Sequence, residues 1–147
     1  MNGWTLTKRV ADSLNAATFS AAPNAAAKAD PFRLVEDFEA DGTFITTVTW
    51  RGRKTENQTK TSQIRMHTID VAVQRRCSDS ANLFDDTKFS GLHDLANEIE
   101  EHLISASIAG MKRMRTFVGT DVPFLDRHLN EHQIGTVVIT AEYEEQL

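Results

Sequence analysis

Two β-rich stretches, separated by a run without one apolar residue, constrain this chain more than any other feature. "TFITTVTWRG", residues 43–52, is dense in β-branched and aromatic side chains. Such residues fit a pleated, half-buried surface, and the period of two puts Phe44, Thr46, Val48 and Trp50 on one face. "QIRMHTIDVAVQRR", residues 63–76, reads as a second long strand. Ile69, Val71 and Val73 face one way, whereas Ile64 and Met66 have the opposite parity. A bulge or bend near His67-Thr68 reconciles the two sets. "GRKTENQTKTS", residues 52–62, joins the strands and reads as a long, mobile, polar hairpin tip. Two long strands joined in this way run antiparallel.

The remaining elements must cover that hairpin. Leu6, Val10 and Leu14 recur every fourth residue, with Ala11 and Ala17 beside them, so residues 5–17 predict an amphipathic helix capped by Thr5 or Asn2. Lys8, Arg9 and Asp12 then lie in water. Pro23 and Pro31 break the alanine-rich stretch that follows, which reads as an extended strand or arm over residues 25–33, with a turn at Asp41-Gly42. Ser90 caps a second helix running to about Ala109. Its stripe is Leu92, Leu95, Ala96, Ile99, Leu103 and Ala106, its wet side carries Glu98, Glu100 and Glu101, and Gly110 is its stop. Residues 113–118 predict a short strand. Ile134 to Tyr143 is apolar on both faces and predicts a central one. The expectation is an α+β domain: an antiparallel sheet of four to five strands with two helices packed on one face. The whole chain, residues 1–147, reads as a single domain.

A chain of 147 residues can bury a self-sufficient core. Its composition, 40% hydrophobic and 25% charged, is that of a soluble globular protein. A net charge of −5 argues against a general nucleic-acid binder. The single cysteine, Cys77, allows no internal disulfide and fits an intracellular or virion setting. The opening residues lack the pattern of a signal peptide, and no apolar run approaches the ~20 residues of a membrane helix.

Several strings tempt a catalytic reading. His128, Glu131 and His132 form H-x-x-E-H, a zinc-peptidase signature. That chemistry needs both imidazoles on one helix face and a further ligand from downstream. Here Pro123 lies just upstream and a strand beginning near Gly135 just downstream. The string therefore reads as a turn leading into that strand, and a zinc hydrolase on His128 and His132 is the weakest alternative. His93 and His102 lie on opposite sides of the second helix and read as exposed. His67 is mid-strand, with no acid fixed beside it by spacing. Cys77 follows Arg75-Arg76, but no base is placed near it, so it reads as a lone cysteine at a strand end. Asp85-Asp86 and Glu100-Glu101 read as solvated surface. No phosphate-cradling glycine loop is present. No catalytic residue, metal ligand or cofactor is expected.

One feature is less ordinary. Between residues 51 and 76 lie Arg51, Arg53, Lys54, Lys60, Arg65, Arg75 and Arg76, opposed by Glu56 and Asp70 alone. Seven bases against two acids leave +5, so the rest of a −5 chain carries −10. Such asymmetry implies a face that meets an acidic partner or passes near DNA. Arg51, Arg53, Lys54, Lys60 and Arg65 are the candidate contact residues. A small nucleic-acid-binding module, with the same hairpin and Trp50 as a stacking surface, is the main alternative.

In order along the chain, "VADSLNAATFS", "FITTVTW", "RMHTIDVAVQRR", "LHDLANEIEEHL" and "PFLDRHLNEHQIGTVVITAEY" resemble the elements of the tail terminator or neck (head–tail joining) proteins of long-tailed bacteriophages. His128, Leu129 and Glu131 match the His–Leu pair and following acid of that family's last loop. The polar tip departs from the family's Ser-Arg, for which Ser62 and Arg65 are only an approximate match. The resemblance implies a non-enzymatic virion protein, assembled in the host cytoplasm. It implies a homo-oligomeric, hexameric ring at the head-proximal end of the tail tube. The ring would end tube polymerisation and offer a docking surface to the head–tail connector. The implied partners are the tail tube protein, the connector or neck protein, a sheath, and the genomic DNA passing through the lumen, with no membrane.

Overall fold

Strand β3 (Gln63–Arg76) lies in the middle of a five-stranded sheet and organises it. On one side it pairs antiparallel with β2 (Phe44–Asn57), on the other with β7 (Ile134–Glu145). The sheet is completed by β1 (Ala25–Lys28) beyond β2 and β6 (Met111–Asp121) beyond β7, in the order β1-β2-β3-β7-β6. Helix α1 (Gly3–Ala16) precedes β1, and α2 (Asp86–Ser105) precedes β6. Two short strands, β4 (Ser78–Asp79) and β5 (Leu83–Phe84), pair with each other between β3 and α2. The computed structural model describes residues 1–28, 43–57, 59, 62–79, 83–84, 86–121 and 134–145. The fold is α+β with a curled, mixed sheet.

Register decides the core. Thr46, Val73 and Val137 lie side by side across the three central strands, followed by Val48, Val71 and Ile139, then by Trp50, Ile69 and Ala141. One parity of every strand therefore faces the same way. The apolar members of these rows, Trp50 excepted, belong to one buried cluster with Leu6, Val10 and Leu14 of α1 and Leu92, Leu95, Ala96, Ile99 and Leu103 of α2. The apolar stripe of each helix thus meets a common core. The opposite parity is not simply wet: Thr47, Thr49, Ala72, Gln74 and Thr136 are also buried.

Helix α1 begins where the Asn2 side chain accepts a hydrogen bond from the Thr5 amide at 2.8 Å, so Asn2 is the cap and Thr5 is not. The helix accordingly starts two residues earlier than its apolar stripe indicates. Helix α2 ends at Ser105, and Gly110 is not its stop. The last helical-type bond runs from the Ala106 amide to the His102 carbonyl, and Gly110 (φ +88°) instead serves the turn into β6. His102 is half-buried rather than exposed. It shares a 2.8 Å hydrogen bond with Ser13 Oγ and meets the Phe19 ring edge-on at 5.6 Å, which joins α2 to α1 and its exit.

Three sheet features differ from the sequence reading. First, β1 runs parallel to β2, so the sheet is not wholly antiparallel. Side-chain amides hold β1 in place: Asn15 both donates to the Ala25 carbonyl and accepts from the Ala25 amide, each at 2.8 Å. Asn24, at a positive φ of 50°, donates to the Phe44 carbonyl at 2.9 Å. Of the arm expected over residues 25–33, residues 29–33 lie outside the described residues. Second, β2 continues to Asn57, because polar residues 54–57 pair with residues 63–66. Most of the expected tip at 52–62 is therefore a paired ribbon. Third, the irregularity lies in β2 and not at His67-Thr68: Arg51 is the extra residue between the pairs Trp50–Ile69 and Gly52–Thr68. Gly52 has φ +125°, a conformation that glycine adopts freely. Strand β3 itself keeps one parity throughout, with His67 in the core-facing position and Ile64 buried on the other face.

Because Ile99 is fully buried at the centre of the α2 stripe, Ile99→Ala should cost about 2–5 kcal/mol in chemical denaturation, whereas the exposed Glu101→Ala should stay within about 0.5 kcal/mol.

Candidate functional site

At the end of the sheet nearest the hairpin, the core-facing row holds polar groups instead of apolar ones. His67 is fully buried and pairs in register with Tyr143 of β7. Glu145 follows Tyr143 by two residues, so it lies on the same face and reaches the imidazole diagonally. His67 Nε2 and Glu145 Oε2 are 3.0 Å apart. The Trp50 indole Nε1–H donates to His67 Nδ1 at 3.1 Å. The second oxygen, Glu145 Oε1, pairs with the Met1 ammonium at 2.5 Å. A continuous polar chain thus runs from β2 through β3 and β7 to the start of α1.

The donors fix the tautomer. Indole N–H can only donate, so Nδ1 must accept, and the imidazole proton sits on Nε2, where it bonds the carboxylate. Both ring nitrogens are engaged and the ring is out of water. His67 therefore ties elements together and has no lone pair to offer a metal or a diffusing substrate. Burial alone would raise the Glu145 pKa. The hydrogen bonds from the Met1 ammonium and His67 outweigh that effect and hold the carboxyl below its ordinary range. At the neighbouring position the Tyr143 hydroxyl is pushed well above its usual pKa by burial, and no hydrogen-bond partner for it lies among the described residues. The α1 backbone sits directly on the tryptophan: a Cβ on Gly3 would lie 2.2 Å from Trp50 Cδ2.

The candidate contact residues of the hairpin divide into unlike groups. Arg51, on the bulge, pairs with Asp70 at 3.3 Å, and Asp70 also accepts from Thr140 Oγ1 at 2.7 Å. Lys54 pairs with Glu56 at 3.0 Å, which raises the lysine pKa through that hydrogen bond. The two acids of the stretch thus each neutralise a specific base. Arg53 is exposed and lies in register with His67, and Arg65 lies opposite Thr55. Lys60 lies outside the described residues. Arg75 faces inward: its guanidinium covers the Phe44 ring at 4.7 Å and bonds the Lys88 carbonyl at 3.4 Å, joining β3 to the first turn of α2. Cys77 is buried, and its thiol lies 3.4 Å from the Arg75 carbonyl.

The H-x-x-E-H string and its His128, Glu131 and His132 lie outside the described residues. Among the described residues, no cluster of three or more His, Cys, Asp and Glu side chains could hold a metal ion. No helix among them is long and apolar enough to cross a membrane. The polar chain itself escaped the sequence reading. His67 and Glu145 are 78 positions apart, and only the β3–β7 register brings them together.

Two measurements check this site. Nitrogen-15 chemical shifts of His67 at neutral pH should show a protonated Nε2 and a bare Nδ1, and the reverse tautomer would remove the Trp50 bond. Stability should fall as pH drops, in two stages. Burial lowers the His102 pKa below 6.5, so beneath that pH the unfolded chain takes up this proton first. The Glu145 pKa is lowered below 4.5, so its contribution is present above that value and is lost as pH falls through the folded pKa. In urea titrations Glu145→Gln should lose about 1–3 kcal/mol at pH 7 and less near pH 3. The chain matches no protein-family model and no curated protein.

Proposed function

We propose that this protein is a structural subunit of a bacteriophage tail, a tail terminator. It would form a ring on the head-proximal end of the tail tube, stop tube growth and present a surface to the head–tail connector. The observation that carries this reading is the arrangement of the sheet's margins. Among the described residues, β1 pairs with β2 alone and β6 with β7 alone, so these two strands form the opposite margins of the described sheet. Open edges of this kind are completed by neighbours, and two different edges on one subunit join head to tail, which closes into a ring when the rotation allows.

The paired ribbon supports the same reading. Residues 55–57 and 63–65 extend beyond the last β7 partner, Met66, by roughly 10 Å. A two-stranded arm that leaves the sheet with Arg53 and Lys54 at its base can reach a neighbouring layer, the tube, the connector or DNA in the lumen. Resemblance in element order to tail terminator and neck proteins supplies the identity of those layers, including a hexameric ring and a sheath as a further partner. The nucleic-acid-binding alternative draws less support. The Trp50 indole N–H is committed to His67 and part of the ring lies against Gly3, and Arg51 and Lys54 are paired with acids.

The purified protein, viewed in negative stain, should show rings. Added to polymerising tail-tube subunits, it should cap the tubes and limit their length. Tubes that grow unchanged in its presence would contradict the proposal.

A further inference from the structure

The ribbon formed by the end of β2 and the start of β3 sorts its side chains by face. Register sets Arg53 opposite His67, Thr55 opposite Arg65 and Asn57 opposite Gln63. These positions continue the parity of the buried His67 outward, past the last β7 partner, Met66. The other parity carries Lys54, Glu56, Ile64 and Met66. There Lys54 is paired with Glu56, and Ile64 is buried.

The first face is cationic and rich in hydrogen-bonding groups. Arg53, Thr55 and Gln63 are exposed, and Arg65 is half-buried. Among the described residues neither guanidinium has an ion-pair partner, whereas Arg51 and Lys54 each have one. The acid of the same parity on β7, Glu145, is buried and engaged by His67 and the Met1 ammonium. Arg53 and Arg65 are diagonal neighbours on adjacent strands, with stems roughly 7–8 Å apart. Two like charges held so close repel each other, and bound anions relieve that cost.

Shape narrows the ligand. The strands of a ribbon lie about 4.8 Å apart. The major groove of B-form DNA is about 12 Å wide and about 8.5 Å deep, and it admits a two-stranded β-ribbon. The arm here projects beyond its last β7 partner by roughly 10 Å, which matches that depth. One arginine stands on each strand, so each groove wall meets a guanidinium. Thr55 and Gln63 lie on the same face and are of the types that bond base edges. We propose that this face of the ribbon enters the major groove of duplex DNA, with Arg53 and Arg65 on phosphates and Thr55 and Gln63 against the bases. Trp50, Arg51 and Lys54 take no part, so this is not the stacking surface of the alternative set aside above. The inference rests on the reading of the ribbon as an arm that reaches another layer, and it names DNA as that layer.

Fluorescence anisotropy with a short labelled DNA duplex tests it. Affinity should fall about tenfold between about 50 and about 200 mM salt, as two phosphate contacts require. Arg53→Ala combined with Arg65→Ala should lose at least about tenfold in affinity at the lower salt, together with most of the salt dependence. Lys8→Ala combined with Lys28→Ala removes the same charge from exposed positions outside the ribbon and should change affinity less than about twofold. An RNA duplex of the same sequence should bind more weakly, because its major groove is too narrow for the ribbon. Polyglutamate should compete poorly. These last two measurements use the wild type and do not depend on a variant folding. Wild-type affinity in the arginine double variant, RNA bound as tightly as DNA, or polyglutamate competing as well as DNA overturns the groove contact. Rings in negative stain with no DNA affinity overturn this contact and leave the ring reading standing; DNA affinity in a protein that stays monomeric does the reverse.

Discussion

The buried imidazole of His67 is the interaction on which the rest of this sheet depends. Strand β3 holds one parity along its length, so the position that continues the Ile69–Val71–Val73 row toward the hairpin must face the core. A histidine occupies that position and is fully buried. Burial of an imidazole is tolerable only when both nitrogens are bonded. Trp50 satisfies one and Glu145 the other, so three adjacent strands are bound to each other by side chains as well as by their ladders. The second oxygen of Glu145 then holds the start of α1, and Gly3 lets that turn lie flat on the indole. Polar chains of this kind fix one arrangement strongly, because losing any member leaves a buried group unmet.

This arrangement ties the base of the hairpin to β7 and to the start of α1 through side chains as well as through the backbone ladder. The Arg51 bulge accommodates the bend, and Asp70 anchors the bulged residue. The ribbon beyond is largely polar, with Ile64 its buried apolar residue, and among the described residues its two strands pair with each other. An anchored base with a narrow extension suits the reach that the proposed role requires. The opposite pairing of the helices, through His102, Ser13 and Phe19, keeps α1 and α2 in a fixed relation while Trp4 and Ile104 remain outside it.

Much of this fold was legible in the sequence. The stripes Leu6–Val10–Leu14 and Leu92–Leu95–Ile99–Leu103 are short-range patterns, and they identify the helices and their buried faces directly. The Phe44–Trp50 and Ile69–Val73 alternations do the same for two strands. What escaped depends on partners distant in the chain. The parallel placement of β1 follows from Asn15 and Asn24, whose amides act as substitute strand partners that no periodicity reveals. The parity conflict in β3 needs no bend, because Ile64 is buried on the face opposite Ile69, Val71 and Val73, and the extra residue lies in β2, which only the cross-strand register discloses. The candidate bases were identified as a cluster, whereas the neutralisation of Arg51 by Asp70 required knowing that Thr49 and Asp70 lie opposite each other. The His67–Glu145 pair was invisible for the same reason.

A central role for His67 has a direct local consequence. Native-state amide hydrogen exchange on His67→Phe resolves it strand by strand. The account predicts faster exchange confined to the first turn of α1 and to the β2 and β7 residues flanking Trp50 and Glu145, with Val71 and Val73 still protected. Protection unchanged at all of these sites, or lost uniformly along the whole of β3, would contradict it.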